Sequence, residues 1–383
     1  MVLYIDITEF VDSRYTTGIQ RVITEFLLRS MLDSYVLKVI CFDKLSNNYI
    51  LINNKELKNF LADIKNYTIV KKEYINIYKK SKKEKIFFDL DSVWNTGQKR
   101  KELYSKLKKY NFKIFNFLYD LTPVLLPDMA KQDTKSNFPS FLQAVCEFSD
   151  FVFFDSKSSQ EDFLKYQTNN INATRKLDTK VVHLGSDFTY KKSKYKSKNL
   201  DILDKKYILF VGTLEPRKKH KLVLDSFEEL HKKYKDLHLV FIGRVGWKTQ
   251  KLVSYMEEHP LKGKYFHHLR NIDDSLLERF YKNAFIVTYI SEYEGYGLPV
   301  AESLQYSNIT ITSKNSSLSE VGENFADYIM HNDKKKLVDL ISLYLENEDT
   351  YKSKKSFIKQ SYIPQNWDMF YTSVINKIKH KMI

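Results

Sequence analysis

Two carboxylates, Glu294 and Glu302, bracket two glycines in Ser291-Glu292-Tyr293-Glu294-Gly295-Tyr296-Gly297-Leu298-Pro299-Val300-Ala301-Glu302. Glu294 and Glu302 can accept hydrogen bonds from hydroxyl groups. Gly295 and Gly297 let the backbone turn sharply and let a ligand come close. A second stretch, Gly212-Thr213-Leu214-Glu215-Pro216-Arg217-Lys218-Lys219, sets cations just after a glycine. Carboxylates for hydroxyls and cations for an anion are together the recognition chemistry of a sugar nucleotide.

The neighbouring residues say how these groups are held. Ala284–Ile290 is an apolar, β-branched run that reads as a buried strand. Leu298 to Tyr306 reads as a helix, with Pro299 in the first turn, where a missing N–H is harmless. Strand, glycine-bearing loop and helix in that order aim unpaired N–H groups and a partial positive charge at whatever lies above the loop. The Arg217–Lys218 stretch repeats the arrangement. A strand ends at Gly212 and a helix begins near Lys218, so Arg217, Lys218 and the helix start form a diphosphate clamp.

These stretches resemble the signatures of the family 4 retaining glycosyltransferases. Glu294 and Glu302 stand as that family's Glu-x7-Glu pair, with Gly295, Tyr296, Gly297, Leu298 and Pro299 between them. Gly212 to Lys218 resembles the family's Gly-Thr-Leu-x-Pro-Arg-Lys form. Thr213 stands where many relatives have arginine, and Lys219 where asparagine is usual. Ile242-Gly243-Arg244-Val245-Gly246-Trp247 resembles a turn that lies under the nucleotide base. Leu118-Tyr119-Asp120-Leu121-Thr122-Pro123 resembles the acceptor half's His-Asp-Leu-x-Pro element, with Tyr119 in place of the histidine. Asp120 is read either as a sugar-hydroxyl acceptor or as a turn-initiating aspartate.

The resemblance implies two Rossmann-like α/β domains facing a cleft, the GT-B arrangement. It places an acceptor domain at residues 1–197, joined by a terminal helix at 365–383, and a donor domain at 205–364, with a polar, lysine-rich linker between Tyr190 and Asp204. It implies transfer of a hexose from a nucleotide sugar to a saccharide or lipid-linked saccharide, with retention of anomeric configuration. Relatives with this Arg-Lys form often take GDP-mannose in surface polysaccharide assembly; UDP-hexoses come next. Carried over by residue, Lys218 and Arg217 meet the diphosphate, Glu294 the sugar and Glu302 the ribose. A sugar-nucleotide epimerase of like architecture, and a non-catalytic nucleotide- or polyanion-binding protein, are the alternatives.

Composition sets outer bounds. The 383 residues are 43% hydrophobic, enough for more than one core. The alternation of apolar strands with helical patterns predicts parallel sheets. No apolar run is long enough for a membrane-spanning helix. The start, Met1 to Asp6, reads as a strand rather than a signal peptide, so a cytoplasmic location is expected. Cys41 and Cys146 read as buried thiols. The net charge of +15 is spread as lysine, without a nucleic-acid motif. Dense clusters at Lys79–Lys85 and Lys106–Lys113 offer a peripheral contact with anionic lipid. Asp89-Leu90-Asp91 has the Asp-x-Asp form of metal-binding transferases of another fold. Here it ends a strand and reads as strand-end carboxylates, and no metal cofactor is expected.

Overall fold

The computed structural model describes residues 1–14, 17–69, 73–170, 175–188 and 200–381. Residues 15–16, in the stretch Glu9–Thr17 that reads in the sequence as a loop, and 190–199 of the expected linker lie outside the described residues. The chain divides into two compact units, Met1–Gly185 with Asn366–Ile383, and Ser186–Gln365.

The first unit is built on eight strands: β1 (Val2–Asp6), β2 (Val36–Asp43), β3 (Asn48–Ile52), β4 (Glu73–Ile75), β5 (Lys85–Asp89), β6 (Phe112–Leu118), β7 (Phe151–Phe154) and β8 (Thr179–Val181). Their order is β4-β3-β2-β1-β5-β6-β7-β8. From β2 to β8 the neighbours run parallel. β1 and β5 are buried at every position, as strands covered on both faces must be. The wholly parallel sheet expected here is not what forms: β2, β3 and β4 pair antiparallel at one edge. For β2 and β3 the cause is the short turn from Lys44 to Asn47, which can return a strand only antiparallel; a parallel crossover needs a dozen or so residues.

The helix Trp367–His380 completes this unit. Asn366 caps it, its side chain accepting from the Met369 N–H at 2.8 Å. It lies against the helix Gly18–Ser30, with Asp368 2.6 Å from Arg29 and the Phe26 and Tyr371 rings 5.2 Å apart. Trp367, Phe370, Val374 and Ile378 are fully buried.

The second unit has six parallel strands: β9 (Lys206–Val211), β10 (Leu237–Ile242), β11 (Phe266–Leu269), β12 (Ile286–Tyr289), β13 (Ile309–Ser313) and β14 (Asp327–Ile329). Their order is β11-β10-β9-β12-β13-β14. The chain starts at the centre with β9, runs outward to β11, then returns to the other side of β9 with β12. The strand order therefore reverses between β9 and β12, and in such sheets ligands bind outside the carboxyl ends at that reversal. The Gly212 loop follows β9 and the Ser291–Gly297 loop follows β12.

Candidate donor site and its relatives

The two loops are laced together by backbone. Lys218 and Ser291 form an antiparallel bridge. The Lys219 N–H donates to the Ile290 carbonyl at 3.0 Å, and the Glu292 N–H to the Arg217 carbonyl at 3.0 Å. On its other side the Gly212 loop is stitched to the turn after β10. The Leu214 N–H reaches the Arg244 carbonyl at 2.9 Å, and the Gly246 N–H reaches the Leu214 carbonyl at 2.9 Å. Gly243 has to be glycine for this crossing: a Cβ there would lie 2.0 Å from the Gly212 carbonyl oxygen. A base-contacting role for Gly243 is thus additional to a packing requirement that already fixes the residue.

Three successive cations leave this ladder with different fates. Arg217 is almost buried, with Nε 3.0 Å from a Glu215 oxygen and Nη1 paired with Glu294. Nη1 also donates to the Tyr293 carbonyl at 2.7 Å. Lys219 is paired with Glu292. Of the three side-chain cations, the Lys218 ammonium alone has no hydrogen-bond or ion-pair partner among the described residues. Its ammonium lies 5.5 Å from the Tyr289 ring centroid, and its side chain passes across Gly212, where a Cβ would be 3.3 Å from Nζ. Of the two cations expected to form the clamp, Arg217 is thus held by two carboxylates and a carbonyl through Nε and Nη1, and the Lys218 ammonium is not.

Glu294 is buried, which by itself would raise its carboxyl. The Arg217 guanidinium, then the Lys218 ammonium, more than offset that and hold it below the usual carboxylate range. Its loop is braced from the β13 side. The Glu294 N–H donates to Ser316 Oγ at 3.0 Å, and Ser317 Oγ donates to the Glu294 carbonyl at 2.8 Å. Asn315 donates to the carbonyls of Ser291 at 3.0 Å and Glu292 at 2.8 Å. Ser316 and Ser317, readable as phosphate ligands or caps, are placed here as braces for this loop.

Gly297 makes the turn into the helix Leu298–Gln305, with φ of 92° and Pro299 in the first turn. A Cβ there would meet Leu318 Cδ2 at 2.6 Å. Gly295 and Tyr296 are buried in the same turn, and Leu298 opens the helix half-buried. One turn on, Glu302 is 3% exposed and accepts from the Tyr281 hydroxyl at 2.7 Å. Thr213 is half-buried beside Gly246. His220, the first residue of the helix His220–Lys233, is core: its ring packs 4.2 Å from Phe210, and burial pulls its pKa down to about 3.

Asp120 lies in the first unit, just after β6, and accepts from the Thr122 N–H at 2.9 Å, the geometry of a turn-initiating aspartate. The neighbouring Tyr119 is buried, with its hydroxyl donating to the Leu90 carbonyl at 2.7 Å. Burial drives its ionisation well above the ordinary tyrosine value, so it offers no proton acceptor of the histidine kind. Asp89 and Asp91 are spent within the fold. Arg100 bridges Asp89 and Asp6 at 2.8 Å each, and Asp91 accepts from the N–H groups of Phe10 at 2.8 Å and Ser92 at 2.7 Å. The basic clusters are partly met from within as well: Lys85 donates to the Lys79 carbonyl at 2.8 Å, and Lys108 pairs with Asp150. No described helix is long and apolar enough to cross a membrane.

Four contributors escaped the sequence reading: Glu215, the Lys219–Glu292 pair, Asn315 and Ser291. Glu215 sits inside the Thr-Leu-Glu-Pro-Arg-Lys run, two residues before a buried arginine, which was the available signal. Nothing local marks Asn315, whose partners are over twenty residues away.

Comparison with known proteins agrees with this geometry. Residues 191–363 match the family described as glycosyl transferases group 1. The chain is 27% identical over 220 residues to the serotype-specific mannosyltransferase WbdA of Escherichia coli, covering 55% of this chain and 27% of that protein. It is 31% identical over 116 residues to the O-antigen chain mannosyltransferase B of E. coli, covering 30% of each. The chain thus spans only about a quarter to a third of the curated relatives it matches. In fold it is similar to HepE of Anabaena, solved with UDP and glucose: TM-score 0.66, 12% identity, 99% of this chain and 100% of that one. A trehalose-6-phosphate synthase gives TM-score 0.66 at 13% identity, with 99% of both chains covered. Residues 191–363 thus match the glycosyl transferases group 1 family, and the fold is of the GT-B kind.

Proposed function

We propose that the chain is a retaining hexosyltransferase, moving a hexose from a nucleotide sugar to a saccharide or lipid-linked saccharide during surface glycan synthesis. The observation that carries this reading is the Lys218–Ser291 bridge at the strand-order reversal. The Lys218 ammonium acts on the buried Glu294 and has no hydrogen-bond or ion-pair partner among the described residues. GDP-mannose is the first donor to test, because the curated relatives are named mannosyltransferases. UDP-glucose is the second, since HepE was solved with UDP and glucose.

The chemistry follows from where charge develops. The bond between the anomeric carbon and the diphosphate oxygen breaks, leaving negative charge on the phosphate and positive charge on the carbon. Lys218 and the amides at the start of Leu298–Gln305 stabilise the leaving phosphate in a site shielded from water. Glu294 holds sugar hydroxyls near the developing positive carbon, and Glu302 holds the ribose. The acceptor oxygen attacks from the leaving-group side and its proton passes to the departing phosphate, so configuration is retained without a dedicated base. Positive charge from Lys218 and the helix start does the work a metal ion does elsewhere, and no metal cofactor enters this scheme. On the first unit, Asp120 is the residue to test for acceptor binding. The basic clusters Lys79–Lys85 and Lys106–Lys113 give peripheral contact with an anionic bilayer on the cytoplasmic side.

A panel of GDP-mannose, UDP-glucose and UDP-GlcNAc, scored by melting shift, tests the donor site. Saturation at about 100-fold over Kd adds about 2.7 kcal/mol to the native state. Nucleotide release from the protecting donor, with NMR of the anomeric product, then tests transfer and retention. Release of free epimerised sugar from UDP-GlcNAc points instead to the epimerase chemistry; binding without consumption points to a non-catalytic protein.

A further inference from the structure

We propose that Glu215 is a positioning residue for Glu294, acting through Arg217, and that the same residue sets Lys218. The inference rests on the reading above, in which Glu294 holds the donor sugar. Three ionised side chains meet in a line: Glu215 on Arg217 Nε at 3.0 Å, and Glu294 on Nη1. Their side chains are only 9%, 12% and 8% exposed for Glu215, Arg217 and Glu294. The planar fork of the guanidinium transmits orientation, because fixing the Nε edge fixes where Nη1 points. Nη1 is fixed a second time by the Tyr293 carbonyl at 2.7 Å.

Charge makes the second carboxylate necessary as well as convenient. With Glu215 present, one guanidinium serves two carboxylates and the group keeps a net negative charge. Without it the guanidinium turns fully to Glu294, neutralising the oxygen that is needed for the donor. The backbone of Glu215 acts on the cation side: its carbonyl accepts from the Lys218 N–H at 3.1 Å, closing the turn that lays Lys218 across Gly212. The loop is tied to the turn after β10 by the two backbone hydrogen bonds of Leu214, to Arg244 and Gly246, at 2.9 Å each.

The test uses the full chain with Glu215→Gln, Glu215→Asp, Glu294→Gln and the Glu215→Gln/Glu294→Gln double variant. GDP and UDP, which lack the sugar, probe the diphosphate pocket; GDP-mannose and UDP-glucose probe turnover. Glu215→Gln is expected to lower kcat at least tenfold while its affinity for GDP or UDP stays within twofold of wild type. Glu215→Asp is expected to recover part of the loss. A kcat within twofold of wild type in Glu215→Gln overturns the proposal. So does a parallel loss of GDP or UDP affinity, which places Glu215 in diphosphate binding. If wild type neither binds GDP or UDP nor releases nucleotide, it is the donor-site reading that has failed. Urea midpoints of the two single variants and the double variant then decide the positioning claim by themselves. Non-additive shifts support coupling through Arg217, and additive shifts refute it.

Discussion

Lys218 and Ser291 face each other across one antiparallel bridge, flanked by hydrogen bonds from Lys219 to Ile290 and from Glu292 to Arg217. Residues more than seventy positions apart in sequence are thereby held in one short ladder at the reversal point of the second sheet. The ladder converts two loops, each able to move alone, into a single scaffold under the helix start at Gly297.

Lys218 carries the leaving-group charge in this scheme, so Lys218→Ala should cut turnover at least tenfold. By analogy with removal of one oxyanion donor, the loss is about 3 kcal/mol in the transition state. The fold should be untouched, because the ammonium makes no hydrogen bond or ion pair among the described residues. Steady-state kinetics beside a melting curve separate the two effects; near-normal turnover takes Lys218 out of the mechanism.

The two loop glycines should differ in what they tolerate. Gly297→Ala forces a side chain into a left-handed conformation and against Leu318 Cδ2, the far end of a side chain that can shift. A loss of about 1–3 kcal/mol is expected. Gly243→Ala instead drives a Cβ into the Gly212 carbonyl oxygen, which is backbone. The two loops must then part, so urea unfolding should show the larger loss in Gly243→Ala, together with loss of nucleotide affinity.

His220 should give the second unit a marked acid sensitivity. Its folded pKa, pushed down to about 3 by burial, lies below the ordinary value of 6.5. The unfolded chain therefore takes up a proton first as pH falls. Stability from this residue is intact above pH 6.5 and falls by about 1.4 kcal/mol per pH unit between 6.5 and about 3. Urea midpoints from pH 7 to 5 should fall more steeply in wild type than in His220→Phe. Parallel slopes would show that the histidine is not buried neutral.

In the first unit, Arg100 holds Asp6 and Asp89 together with side chains 1% exposed or less. Arg100→Leu leaves two buried carboxylates unpaired and should cost about 3–5 kcal/mol. Because Asp89 is committed to that pair, turnover should be unaffected by a chelator such as EDTA. Activity that is lost on chelation and restored by manganese would contradict the metal-independent scheme.

What was legible in the sequence was mostly what depends on near neighbours. The apolar run Ala284–Ile290, the loop glycines and Pro299 in its first turn define strand, loop and helix without distant help. The β2–β3 hairpin was harder. Its strands are apolar enough to pass for parallel ones, and only the brevity of the Lys44–Asn47 turn betrays the pairing. The carboxylate partners of Arg217 were not legible, because a cation beside a helix start looks the same in sequence whether it meets a phosphate or a carboxylate. Glu294 lies 77 positions away, and only the fold brings it to the guanidinium. Capping is another local signal: the Ser156 hydroxyl, just before the helix Lys157–Asn170, accepts from the Ser159 N–H at 3.0 Å.

The helix Trp367–His380 belongs to the unit that begins with β1, and Arg29 meets Asp368 across 339 positions. The whole of Ser186–Gln365 is therefore an insertion within the first unit. On the ribosome, the inserted unit has all its strands before that helix emerges, while β1 to β8 wait with the surface for Trp367 and Phe370 uncovered. Maturation of the earlier-made unit is thus the later event, and a nascent chain stopped near residue 365 should bind chaperones through its amino-terminal part.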